Sequence, residues 1–311
     1  MSDVPSAVPA VERRRRPRRA KHHEAHVHWK HIAVYVPIVV LVTLLGGLAI
    51  WSFIEKQSLV IVPQPIPRVT LETADPNARL TASWVRLLHT AGVEATVVSS
   101  AAARDQLIVR CGRGVAYLAV PGRGTPGDAL ELSAAPSPIL ARLTPKGEIP
   151  ARAAPAALLD EKPGMRIDMR WRNSARAAVM HMEEPEARVL WIGFDPDAVA
   201  ANPALLLMLR TSVRWLAGQP ISSGRSDQFA FSVEPLRDRR SFAVTMMNRG
   251  DGRIDKPSVQ LWLPPGVSQV ALGGDWLMRR GASLTRQEDT WVVSLPSLGR
   301  REERVLKLTA R

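Results

Sequence analysis

The sequence predicts an α/β chain carrying a single N-terminal transmembrane helix, a parallel-sheet α/β domain and a final antiparallel β-sandwich. Three observations predict it. The stretch from Ile32 to Ile54 contains no charged residue, strand-like and helix-like runs alternate over residues 57–220, and from residue 225 onward the helical period gives way to short alternating strands between Gly, Pro, Asn and Asp turns.

The N-terminal 31 residues lack apolar periodicity and read as a disordered basic tail. Arg13, Arg14, Arg15, Arg16, Arg18 and Arg19 form its densest run, suited to anionic headgroups at about 1 kcal/mol per charge near the surface. His22, His23, His26, His28 and His31 follow, five of the seven histidines. They match neither H-E-x-x-H nor a Cys/His zinc spacing, so no metal site is assigned to them.

Residues 32–54 make a helix roughly 34 Å long at about 1.5 Å per residue, enough for a hydrocarbon core of roughly 30 Å. Trp29 and Trp51 stand near its ends, where aromatic rings settle at the headgroups. The apolar run is longer than a signal-peptide core and lacks an A-x-A site, so it is read as an uncleaved anchor. Pro37, Gly46 and Gly47 lie within it; transmembrane helices tolerate such residues, and with Thr43 and Ile50 the glycines also offer a small-residue packing face. Positive charge is concentrated before the span, so the N-terminus is placed in the cytoplasm and the remainder outside, in the periplasm of a bacterium with the span in its inner membrane.

The chain has 311 residues and a formal net charge of +13. About 255 residues follow the anchor, room for two cores. The basic excess is concentrated in the tail and no basic run interleaves with aromatics beyond it, which argues against nucleic acid. Cys111 is the one cysteine, so no intrachain disulfide forms, and a buried inert thiol is expected.

In the first extracytoplasmic domain, 57–220, Ser58–Val62 reads as a buried strand ended by Pro63. Asn77–Ala91 reads as a helix with Leu80, Trp84, Leu87 and Leu88 on one face and Gly92 as its stop, and Val93–Val98 as the next strand. Strand, helix, strand is the parallel crossover unit. Further strands are expected at Val115–Val120, Met165–Trp171, Ala175–Met182 and Arg188–Phe194, with an irregular Pro/Ala/Gly-rich excursion over 122–164. Asn202 caps and Pro203 opens a helix whose face is Leu205, Leu206, Leu209, Ser212, Val213 and Leu216, stopped by Gly218.

The passage Arg188-Val-Leu-Trp-Ile-Gly-Phe-Asp-Pro196, with Asn202-Pro-Ala-Leu-Leu and Ser212-Val-Arg-Trp-Leu-Ala-Gly218, resembles the closing strand and helix of the class I glutamine-amidotransferase-like superfamily, and in particular its divergent, non-catalytic envelope members. Active relatives set a Cys on a strand-to-helix elbow with His and Glu partners. The elbow requires small flanking residues, whereas Val109-Arg110-Cys111-Gly112-Arg113 places bulky ones there. His181-Met182-Glu183 has the His-x-Glu spacing but runs directly into Glu184-Pro185. A Cys111/His181/Glu183 triad is therefore not assigned.

Gly112-Arg113-Gly114, Gly122-Arg123-Gly124 and Gly127 suit oxyanions chemically, but they lack P-loop and G-x-G-x-x-G spacing and are read as turns. Asp195-Pro196-Asp197 reads as a turn before a helix rather than a pair of catalytic carboxylates. No catalytic, cofactor or metal residue is assigned, and the chain is read as not an enzyme.

In the second domain, 225–311, strands are expected at Phe229–Val233, Phe242–Met246, Val259–Leu263, Trp291–Leu295 and Arg304–Leu308. The turns at Asn248-Arg-Gly-Asp, Leu263-Pro-Pro-Gly266 and Ser297-Leu-Gly299 resemble those of bacterial immunoglobulin-like envelope repeats. Trp262, Trp276 and Trp291 are read as core or rim side chains. The function expected from this sequence is a bitopic inner-membrane scaffold or interaction module, an accessory subunit of an envelope assembly such as polysaccharide export or transport. Its partners would be anionic lipid and other envelope or membrane proteins. The alternative is a tethered glycan-binding protein or hydrolase, with the Gly/Arg loops, His181 and Asp195 at the carboxyl ends of the strands.

Overall fold

The computed structural model describes residues 35–48, 50, 61–103, 106–119, 129–143, 147–150, 159–172, 174, 176–184, 187–199, 202–224, 229–238, 240–273 and 281–310. The chain divides into two units, Met1–Gln57 and Ser58–Arg311, and each is taken by itself.

In the first unit, residues 35–48 form helix α1, whose side chains Val36, Ile38, Val39, Leu41, Leu44 and Leu48 are all exposed. Among the described residues no helix is long and apolar enough to cross a membrane. The predicted span included residues 32–34, 49 and 51–54, and these lie outside the described residues, as do the basic tail and the histidine cluster.

The second unit holds two cores. A nine-stranded sheet runs in the order β2-β1-β3-β4-β9-β8-β7-β5-β6. Its strands are β1 (Val69–Thr73), β2 (Ala95–Ser99), β3 (Gln106–Cys111), β4 (Gly114–Ala119), β5 (Ala129–Leu132), β6 (Glu148–Pro150), β7 (Arg166–Trp171), β8 (Ala177–Glu183) and β9 (Arg188–Ile192). The sheet is mixed rather than parallel as expected. Only β1 with β2 and β4 with β9 run parallel; every other neighbouring pair is antiparallel. The reason is local. Helix α2 (Arg79–Thr90) makes a parallel crossover to β2, starting from β1 rather than from the expected strand at Ser58–Val62, but two residues between Cys111 and Gly114 allow nothing except a hairpin.

That hairpin also explains the Gly-Arg-Gly sequence. Gly112 has φ +59, and a Cβ on Gly114 would lie 2.4 Å from the Leu216 carbonyl, so backbone against backbone leaves no room there for a side chain. The 122–164 region is not wholly irregular, since β5 and β6 come from it and extend the sheet beyond β7.

Helix α2 and helix α4 (Pro203–Leu216) cover one sheet face, placing Trp84, Leu87, Leu88, Leu209 and Val213 in a common core with Leu71, Val109, Ala116 and Leu190. Asn202 caps α4 by accepting from Ala204 N at 2.9 Å, and Gly218 ends it at φ +75. A short helix α3 (Pro196–Val199) precedes it.

Two four-stranded antiparallel sheets form the sandwich, in the orders β10-β14-β17-β16 and β11-β12-β19-β15. Their strands are β10 (Ile221–Gly224), β11 (Ala230–Pro235), β12 (Ser241–Met247), β14 (Ser258–Trp262), β15 (Val270–Gly273), β16 (Ser283–Gln287), β17 (Thr290–Ser294) and β19 (Glu303–Ala310), with β13 (Ile254–Asp255) and β18 (Ser297–Leu298) paired separately. Phe231, Val233, Val244, Met246, Val259, Leu261, Val293, Leu306 and Leu308 fill the space between the sheets. Strand β10 lies ahead of residue 225 and already belongs to this sandwich.

Of the expected strand at Ser58–Val62, residues 58–60 lie outside the described residues, and Ile61 and Val62 do not join the large sheet. Ile61 instead bridges Leu236, and Val62 N donates to the Pro235 carbonyl at 3.1 Å. The first strand of the large sheet is β1, whose Val-Thr-Leu-Glu-Thr alternation went unread behind the Pro-rich segment at 63–67.

Candidate functional site

The row Leu71–Val109–Ala116–Leu190–His181 crosses five strands on the helix-covered face, each residue paired to the next. It places the imidazole of His181 in the core, 3% exposed and edge-on to Trp215 at 5.3 Å between ring centroids. On the neighbouring strand the register of β7 against β8 shifts between Ile167 and Met169. Such a bulge removes Asp168 from the normal alternation and re-aims its side chain. Asp168 is 1% exposed, and its Oδ2 lies 2.8 Å from His181 Nδ1.

The third member comes from the loop after β5. Ser133 N donates to the Asp168 carbonyl at 2.8 Å, fixing the loop to the bulge. The chain then reads Pro136-Ser137-Pro138, two fixed φ angles around one serine. Ser137 Oγ donates to Asp168 Oδ1 and accepts from Ile139 N at 3.1 Å. The buried carboxyl group of Asp168 thus has a hydrogen-bonding partner at each oxygen, as a polar group enclosed in a core requires.

The order of the three groups decides their chemistry. In a nucleophilic triad the imidazole stands between hydroxyl and carboxylate, so that it can take the hydroxyl proton. Here the carboxylate stands between hydroxyl and imidazole. The arrangement orients Ser137 and anchors its loop.

Ser137 also forms part of the wall of a cavity of about 220 Å³. The cavity lies where the 132–143 loop faces the sandwich, and its lining includes Ser133, Ser137, Leu140, Ser223, Gln260 and Trp262. Among the described residues no side chain in its lining carries a charge.

Beside this network, Arg188 at the start of β9 joins the two cores. It is 2% exposed. Its Nε and Nη2 donate to Glu183 Oε1 at 2.9 and 2.7 Å, its Nη1 to the Trp215 carbonyl at 2.7 Å, and its Nη2 also to the Leu263 carbonyl of the sandwich at 2.9 Å. The guanidinium carbon stands 5.1 Å from the Trp215 ring centroid. Burial pushes the guanidinium pKa down, and the Glu183 carboxylate opposes that shift. Arg166 to Asp289, and Arg142 to Ser222 at 3.3 Å, add two further ties between the lobes.

The residues weighed from the sequence do not meet. Cys111 is 2% exposed on β3, and its Sγ points to the Val213 and Arg68 carbonyls at 3.6 and 3.8 Å. Burial pushes its pKa up to about 11, so the thiol is neutral and weakly nucleophilic. Three strand spacings separate β3 from β8, about 14 Å at the usual interval, which places Cys111 out of reach of His181. Glu183 is held by Arg188. Asp195 Oδ1 accepts from Asp197 N at 2.8 Å and caps α3. Trp262 is 3% exposed in the larger core and Trp291 packs on the sandwich core. Gly122, Arg123, Gly124, Gly127 and Trp276 lie outside the described residues. Among the described residues no group of three or more His, Cys, Asp or Glu side chains is arranged to hold a metal.

Sequence reasoning missed Asp168, Ser137 and Arg188. Two signals were present: a lone acid inside Met165-Arg-Ile-Asp-Met-Arg-Trp171, and a serine between two prolines.

No protein-family model and no curated protein matches this chain. Among solved structures it is similar to alpha-L-fucosidase isoenzyme 2 from Paenibacillus thiaminolyticus, at 10% identity and a TM-score of 0.30, over 81% of this chain and 50% of the fucosidase. It is also similar to a catalytic mutant of Gan42B, a GH42 beta-galactosidase from G. stearothermophilus, at 13% identity and a TM-score of 0.18, over 48% of this chain and 18% of that one. The chain spans about half the length of the first and less than a fifth of the second.

Proposed function

We propose that this chain is a bitopic protein of the bacterial inner membrane that presents residues 58–311 to the periplasm as a non-catalytic interaction module. In this reading the first lobe is a divergent glutamine-amidotransferase-like domain, the second is an immunoglobulin-like domain, and the partners are other envelope or membrane proteins of an export or transport assembly. The observation that carries it is the exposed apolar surface of α1, where Val36, Val39, Leu41, Leu44 and Leu48 are all more than half exposed. Hydrocarbon is the environment that removes this surface from water at no polar cost, and the preceding basic tail fixes the orientation. A buried, protonated Cys111 and a carboxylate-centred Ser137–Asp168–His181 network support a binding role over hydrolysis. The three arginine ties make 58–311 a firm platform for partners.

The test is fractionation of cells expressing the full chain with a C-terminal tag, combined with crosslinking and identification of captured proteins. Retention in the inner-membrane fraction after an alkaline carbonate wash, with a reproducible set of envelope proteins, is expected. Release into the soluble fraction overturns the anchor, and an uncrosslinked monomer overturns the module.

A further inference from the structure

We propose that the cavity between the 132–143 loop and the sandwich binds one ring of a neutral sugar. The inference stands on the cavity and its walls, and does not depend on the anchor or on the partner proteins.

Size limits the ligand first. About 220 Å³ is several times the roughly 30 Å³ share of a water molecule and below the roughly 300–1,000 Å³ of sites for drug-sized ligands. That is room for a single six-membered ring and its substituents. Charge limits it next. With no ionised side chain among the described lining residues, a carboxylate, phosphate or ammonium group would lose its hydration without a counter-charge from them.

The polar groups then specify the class. Ser133, Ser137 and Ser223 are hydroxyls that both donate and accept, and the Gln260 amide supplies two donors and an acceptor. Ser133 and Ser137 come from the α/β lobe, while Ser223 and Gln260 come from β10 and β14 of the sandwich, so hydrogen-bonding groups face the space from two sides. Ser137 is the fixed member. Its proton is committed to Asp168 and one lone pair to Ile139 N, which leaves an acceptor position for a ligand hydroxyl. Leu140 and the Trp262 indole give the apolar remainder. A pyranose carries the matching surface, with hydroxyls at its rim and C–H groups on its faces, the latter suited to an aromatic ring.

The experiment uses the full purified chain in lipid nanodiscs made without glycolipid, since sugar-headed detergents would compete. D-glucose, D-galactose and N-acetyl-D-glucosamine are titrated by calorimetry and by thermal unfolding, with D-glucuronate and inorganic phosphate as charged controls. At least one neutral sugar is expected to bind and to raise the unfolding midpoint, with the charged controls about tenfold weaker or silent. Two variants locate the site: Gln260→Leu removes a polar wall, and Ala135→Phe fills the space from an exposed loop position. Both should unfold like the parent without ligand and bind the sugar at least about tenfold more weakly. If one variant misfolds, the other decides. Silence with all three neutral sugars, equal binding by both variants, or stronger binding of glucuronate or phosphate would each overturn the proposal.

Discussion

The larger core encloses Asp168, His181 and Arg188, each at 3% exposure or less, whereas the sandwich core encloses Asn248, Ser241 and Thr290 and no ionisable side chain among its described buried residues. Asn248 ties turns together: its Nδ2 donates to the Gly252 and Gly299 carbonyls at 2.6 and 2.8 Å, and its Oδ1 accepts from Gly250 N at 2.9 Å. The sandwich uses a neutral amide to close its loops. The α/β lobe uses charges to aim a loop at a cavity and to hold a neighbouring lobe. Buried charge costs desolvation that an amide avoids, so its presence on one side only marks where position matters more than stability.

That contrast makes Arg188 the most sensitive single site. Arg188→Ala strands the Trp215 and Leu263 carbonyls and removes the grip on Glu183, with an expected loss of about 4 kcal/mol in chemical denaturation. Arg188→Lys keeps the charge but not the fork and should recover less than half of it. Asn248→Ala is expected to cost about 2 kcal/mol, since it leaves turn carbonyls unpaired at the margin of an apolar core. If Asn248→Ala costs more than Arg188→Ala, the contrast between the cores is wrong.

At neutral pH the smallest effect is that of Cys111, which acts only in alkaline solution. Its folded pKa is raised from 9.0 to about 11, so between these values the unfolded chain ionises its thiol and the folded chain does not. Stability from this group is complete below about pH 9 and falls as pH rises toward 11, by at most about 1.4 kcal/mol per pH unit. Denaturation midpoints of the parent and Cys111→Ala across this range should diverge with that sign. Parallel curves would mean that the thiol is open to solvent.

The elements legible in the sequence were those with strong local signals. The amphipathic spacing behind α2, the Asn202-Pro203 start of α4 and the short apolar runs of β8, β9, β12, β14, β17 and β19 placed those elements to within a few residues. What escaped depended on distant pairing. The strand-helix-strand order suggests a parallel sheet, although the five residues between β7 and β8 are too few for a crossover and force β8 to run back beside β7. Cys111 drew attention as the one cysteine, yet it is packed away beneath α4. Asp168 is part of the candidate site through a bulge, and a bulge exists only relative to a partner strand. Ser137 belongs with it by tertiary contact across 31 residues of chain.

The pairing of Ile61 with Leu236 sets an order of events during synthesis. Residue 61 leaves the ribosome long before residue 236, and at roughly 5–20 residues per second the interval is on the order of 10–35 s. Through that interval Ile61 and Val62 lack the partners they have in the folded chain, while β1, α2, β2 and the β3–β4 hairpin are already available to one another. Ile61 and Val62 are therefore paired late, only once β11 and Leu236 have been made, and ahead of β12 to β19.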